Sequence, residues 1–175
     1  AYLMTCILGD TQGLTNSLTS ANTYRIMAAL TETGVNRALL EEQRREASKM
    51  HQVIFRYKAE LINRTEFLCD GQLAIVTIPQ HEINEFSPLY NPGPLVQPEM
   101  LNTEGVLIGI VFKKYDDGKI TAMIRCNPKA EIAGKLAEHF GGGGHGFAAG
   151  FKITSNKPFE EVKSECIAKV TELLS

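Results

Sequence analysis

Residues 140–151 read Phe-Gly-Gly-Gly-Gly-His-Gly-Phe-Ala-Ala-Gly-Phe. Gly141, Gly142, Gly143 and Gly144 place four N–H groups in a row with no side chain in front of them. Such backbone can curl so that its amides converge on an anion. His145 adds a directional donor that can take up a proton. Ala148, Ala149 and Gly150 are small enough for a ligand or a neighbouring backbone to come close. A flexible linker is disfavoured, because the run lies between a helical pattern and a strand pattern with Phe on both sides. Arg125 ends a strand pattern just after Met123 and Ile124. A strand-end arginine is usually a solvated charge. Its nearness to the glycine run favours a functional reading, since a planar guanidinium suits bidentate grip on a phosphate.

A second candidate is Asp10, in Gly9-Asp10-Thr11-Gln12-Gly13. From the residues alone it is a helix-end or turn aspartate. The net charge of -2 over 175 residues argues against a protein that coats long nucleic acid through a strong positive field. It leaves room for a small phosphorylated ligand held by a few aimed groups. Lys113, Lys114, Lys119, Lys129 and Lys135 give the later part a local basic excess, offset in part by Asp116, Asp117, Glu131 and Glu138. Cys6, Cys69, Cys126 and Cys166 form no C-x-x-C pair and no zinc spacing, so they are expected to be reduced, mostly buried thiols of a cytoplasmic protein. No stretch approaches a membrane span. The apolar start lacks the basic flank of a signal peptide and reads as a chain that begins within a folded element.

The elements that must position these groups follow from periodicity. Residues 2–8 suggest a buried helix. Thr19 or Ser20 can cap a helix over 22–32 with Ile26, Ala29 and Leu30 inward, stopped by Gly34. Residues 41–64 suggest one long connector helix with a stripe of Met50, Val53, Ile54, Tyr57 and Leu61. Strands are expected over 66–69 and 73–78 about Asp70-Gly71, then a short helix over 81–86. The four prolines in 87–98 predict loop. Strands over 106–112 and 120–125 flank Asp116-Asp117-Gly118. Asn127-Pro128 predicts a helix start, with Ala133, Leu136, Ala137 and Phe140 inward. A strand over 151–154 and an amphipathic helix over 158–174 close the chain. The expected class is α+β, or α/β: a helical part, then one mixed sheet with packed helices, dividing near residue 65.

Arg125, a helix, and then Gly-Gly-Gly-Gly-His-x-x-Ala-Ala-Gly resemble the signature of the DHH-associated domain. That domain closes DHH-family phosphoesterases such as RecJ-type exonucleases, nanoRNases that also dephosphorylate phosphoadenosine phosphate, and cyclic dinucleotide phosphodiesterases. The resemblance implies that Gly142, Gly143, Gly144, His145 and Arg125 line the substrate side of a cleft and hold a phosphate or terminal nucleotide. Asp10-Thr11-Gln12-Gly13 resembles the family's last catalytic motif with Gln12 before the glycine, which implies a metal-ligand role for Asp10. On this reading residues 1–40 are the end of a DHH catalytic domain, 41–65 a connector helix, and 66–175 the substrate-binding domain. The family's Asp-x-Asp and Asp-His-His motifs do not occur in the sequence. One carboxylate cannot hold the two divalent ions, usually manganese, that the family employs.

The resemblance implies a hydrolase, a nuclease or phosphatase acting on short single-stranded nucleic acid or nucleotide phosphates. This chain is expected to bind the phosphate end without turning it over. Two other classes compete: a non-catalytic nucleic-acid-binding module like the appended domain of alanyl-tRNA synthetases, and an unrelated α+β domain whose glycines only make a tight turn.

Overall fold

The computed structural model describes residues 1–154 and 157–175, and the chain falls into two compact units, Ala1–Lys49 and Met50–Ser175. The first unit holds three helices: α1 (Tyr2–Asp10), α2 (Ala21–Glu32) and α3 (Arg37–Ala47). α1 is not the buried helix expected; Met4 is buried while Tyr2 and Leu3 are exposed. α2 starts at a Ser20–Thr23 capping box and ends before Gly34, whose φ of +88° suits the left-handed cap. Its buried residue is Met27, whereas Ile26 and Ala29 are exposed and Leu30 is half-buried.

The expected helix over 41–64 is two helices. α3 ends at Ser48, and α4 (Gln52–Asn63) restarts from His51, whose Nδ1 accepts the Val53 N–H at 3.3 Å. α4 belongs to the second unit because Ile54, Tyr57 and Leu61 pack there against β2 and α6 residues, while Val53 stays exposed.

The rest of that unit is β1 (Glu66–Leu68), β2 (Leu73–Pro79), α5 (Gln80–Phe86), α6 (Pro92–Leu101), β3 (Ile108–Lys114), β4 (Lys119–Cys126), α7 (Ala133–His139), β5 (Gly143–His145), β6 (Ala148–Thr154) and α8 (Phe159–Leu174). Its strands form one sheet in the order β1-β2-β3-β4-β6-β5. β2 and β3 run parallel and every other pair is antiparallel, so the sheet is mixed as expected.

α6 overturns the loop expected over 87–98. Pro92 and Pro94 occupy the first turn, where no N–H is needed, and Asn91 caps it by accepting the Gly93 N–H. Pro98 removes one interior hydrogen bond, but Leu95, Val96 and Met100 are buried and their packing outweighs that loss. α7 starts at Ala133, five residues after the expected Pro128. Asn127 is not its cap: its Nδ2 donates to the carbonyls of Leu101 and Val106 at 2.9 and 2.7 Å.

Two apolar clusters sandwich the sheet. Ile108, Ile110, Phe112, Ile120, Ala122 and Ile124 meet α7 and α8 on one face. Ala74, Val76, Ile78 and Val111 meet α4, α5 and α6 on the other. Tyr57 stacks on Phe86 and donates to Glu82 at 2.6 Å, and Arg64 binds the same carboxylate through two nitrogens. Burial alone would raise the Glu82 pKa, but the Arg64 and Tyr57 hydrogen bonds outweigh it and hold the carboxyl below its ordinary value. Cys126 and Cys166 are buried, Cys69 is half-buried and Cys6 is exposed, so burial covers fewer of the thiols than expected. Among the described residues no helix is long and apolar enough to cross a membrane.

Candidate phosphate-binding face of the second unit

Alternation along β4 decides where Arg125 goes. Ile120, Ala122, Ile124 and Cys126 are buried in the core under α7 and α8, so Lys119, Thr121, Met123 and Arg125 take the opposite face. Arg125 is exposed, and its Nη1 donates to the Ile124 carbonyl at 3.3 Å. It pairs with Gly109 on β3 and Ala148 on β6, and Ala148 pairs with His145 on β5. Directly paired residues share a face, so Gly109, Arg125, Ala148 and His145 form one row across four strands. Ala148 between the cation and the imidazole leaves open space above the sheet. α6 walls the row at the Gly109 end, where Gln97 Nε2 donates to the carbonyls of Gly109 and Met123 at 3.1 and 3.0 Å.

The four glycines do not form a nest of four free amides. Gly141 (φ +72°) and Gly142 close α7: their N–H groups donate to the carbonyls of Glu138 and Ala137 at 2.9 and 2.8 Å. The chain then turns into β5, an edge strand in which alternate N–H groups face away from β6. Backbone crowding also requires the glycines here. A Cβ on Gly142 would collide with the Gly150 carbonyl, and one on Gly144 would lie 2.6 Å from the Ala149 Cα. α7 clamps the hairpin from below, the Ala133 N–H donating to the Gly146 carbonyl at 2.8 Å. That clamp fixes the height of His145, which is exposed at the strand end.

The expected site residues therefore separate. Arg125, His145 and Ala148 meet in one row, and Gly143 and Gly150 pair in the adjacent row on the same face. Gly141, Gly142 and Gly144 shape the backbone that carries them. Ala149 points into the apolar core on the opposite face. Sequence reading missed Gly109, where α6 packs so closely that an added Cβ would touch Met100, Gln97 and Leu101, and Lys152, which lies further along the same face of β6. Strand register is the signal that finds both.

Asp10 lies in the first unit, at the end of α1, and is exposed. Its backbone carbonyl accepts from Asn16 Nδ2 at 2.8 Å. Thr11 Oγ1 accepts the Leu14 N–H at 3.1 Å and braces a turn in which Gln12, Gly13 and Leu14 all have positive φ. A cavity of about 340 Å³ beside it is lined by Leu8, Gly9, Gln12, Gly13, Glu41 and Arg44. Its one carboxylate is engaged: the Arg44 guanidinium holds the Glu41 pKa down at about 2. Among the described residues no three His, Cys, Asp or Glu side chains are grouped to hold a metal ion. The donors present do not fit the expected metal pair.

Residues 95–175 match the DHHA1 domain. Uncharacterized proteins of Mycoplasma pneumoniae and Mycoplasma genitalium are 27% and 26% identical over 97% and 98% of the chain, covering 51% and 52% of their own lengths. The chain thus spans about half the length of the curated relatives it matches. The crystal structure of an exopolyphosphatase-related protein from Bacteroides fragilis shares the fold, with a TM-score of 0.76 and 20% identity over 97% of this chain and 49% of its own. Residues 95–175 thus match a DHHA1 domain, and the chain shares the α+β fold of the Bacteroides protein.

Proposed function

We propose that the second unit grips the terminal phosphate of a short single-stranded oligonucleotide or a nucleotide phosphate, as the substrate-holding part of a cytoplasmic, metal-dependent phosphoesterase. The observation that carries this reading is the Arg125–Ala148–His145 row: a guanidinium and an imidazole on one open face, with only a methyl group between them. Arg125 offers a planar fork to two phosphate oxygens, and His145 donates from the far side. Together these groups offset the charge of an anionic ester and fix its orientation. Manganese, the expected metal, finds no donor set among the described residues, so the role proposed for this chain ends at binding.

Titration with phosphoadenosine phosphate, followed through the His145 ring resonances by NMR, tests the reading. The ring signals are expected to shift on addition, and Arg125→Ala to weaken binding by tenfold or more. An unmoved His145 ring, with Arg125→Ala binding like the parent chain, would remove the proposal.

A further inference from the structure

The open face carries a second cationic row. Lys113, Thr121 and Lys152 are register partners on β3, β4 and β6. They lie four residues along β4 from Arg125, about 13 Å away at the rise of a strand. Between the two rows runs an uncharged one, in which Met123, Gly150 and Gly143 pair across β4, β6 and β5. A methyl group added at Gly143 would meet nothing within 4 Å, so the strip is open at that end.

The outer row lacks a carboxylate. Lys113 Nζ donates to the neutral Asn91 Oδ1 at 3.1 Å, and neither Lys113 nor Lys152 is ion-paired among the described residues. Elsewhere in the unit Lys58, Lys163 and Lys169 each meet a glutamate at 2.6 Å. Burial draws the Lys113 pKa below its ordinary value, the expected behaviour of a half-buried cation with no anion beside it.

We propose that Lys113, Thr121 and Lys152 form a second phosphate subsite, so that the face takes a linear oligonucleotide with a phosphate at each cationic row and two nucleosides joined by the intervening phosphate across the uncharged strip between them. The proposal rests on Arg125 and His145 forming the first subsite. The strip favours nucleic acid over inorganic polyphosphate, because the closely spaced phosphates of a polyphosphate would place several charges over the row with no cation, where an oligonucleotide places one. A 5′-phosphorylated trinucleotide is the shortest ligand whose phosphates, two linkages apart, reach both rows.

The test is equilibrium titration of the whole chain with 5′-phosphorylated mono-, di- and trinucleotides and with linear polyphosphate, at several salt concentrations. The trinucleotide is expected to bind about tenfold more tightly than the dinucleotide. Lys113→Ala with Lys152→Ala abolishes that gain and lowers the slope of log affinity against log salt by about 0.7, the loss of one phosphate contact. Mononucleotide affinity stays at the parent level. Lys152→Ala alone, at an exposed position, gives part of the same loss without disturbing the Lys113–Asn91 contact. An unchanged length dependence in these variants overturns the second subsite and leaves the first standing. Polyphosphate binding as tightly as the trinucleotide overturns the assignment to nucleic acid. Mononucleotide binding that ignores Arg125→Ala overturns the first subsite instead.

Discussion

The two faces of the strands β4 and β6 are built from alternate residues of the same sequence and behave in opposite ways. Under α7 and α8 lie Ile120, Ala122, Ile124, Ala149 and Phe151, all buried. On the reverse lie Thr121, Met123, Arg125, Ala148, Gly150 and Lys152, of which none is buried. One face is apolar and closed; the other carries cations beside small residues and is open beyond Met123, where α6 packs on it. On the proposed reading, stability resides on the first face and ligand recognition on the second. A one-residue shift in register would exchange them.

Substitutions break this comparison at its ends. The largest effect is expected at Phe112, fully buried and edge-on to Phe151 and Phe159. Phe112→Ala should cost about 3–5 kcal/mol in urea denaturation. Gly142→Ala follows, because its new methyl group would strike the Gly150 carbonyl and force the hairpin off β6. A loss of about 1–3 kcal/mol is expected. Arg125→Ala should leave unfolding within about 0.5 kcal/mol of the parent, since the side chain is exposed and its hydrogen bond to the neighbouring carbonyl is long. If Arg125→Ala unfolds the protein while Phe112→Ala does not, the division of labour between the faces is wrong.

The smallest effect is a pH dependence set by Glu82. Its carboxyl is held below its ordinary value of 4.5 in the folded chain. The stability it contributes is therefore present above about pH 4.5 and is lost as pH falls through the lower folded value. Denaturation midpoints at pH 7 and pH 3 should differ less in Glu82→Gln than in the parent, and an equal difference would show that the Arg64–Glu82–Tyr57 group is not linked to folding.

The same division explains what could be read in the sequence. β2, β3 and β4 were legible because their residues follow burial directly, and the helix over 158–174 was legible from its stripe. β5 was hidden: Gly143, Gly144 and His145 have no apolar alternation, and only pairing to β6 makes them a strand. β6 begins three residues before the expected Phe151 for the same reason, since Ala148, Ala149 and Gly150 carry little pattern. α6 was hidden by its prolines, whose cost is local while the compensating burial of Leu95, Val96 and Met100 is tertiary. The break between α3 and α4 was hidden because His51 caps with a ring nitrogen, outside the usual Ser, Thr, Asp and Asn signals. Arg125 and His145 were both legible as candidates. Their meeting in one row was not, because it depends on two strand registers that no local pattern states.

The central claim is a location, so its most direct test is a structure of the chain with a bound nucleoside monophosphate. The phosphate oxygens should lie about 2.7–2.9 Å from the Arg125 guanidinium, with the His145 ring within hydrogen-bond reach and the nucleoside over the neighbouring Met123–Gly150–Gly143 row. A phosphate bound elsewhere on the chain, with the Arg125–His145 row vacant, would contradict the account.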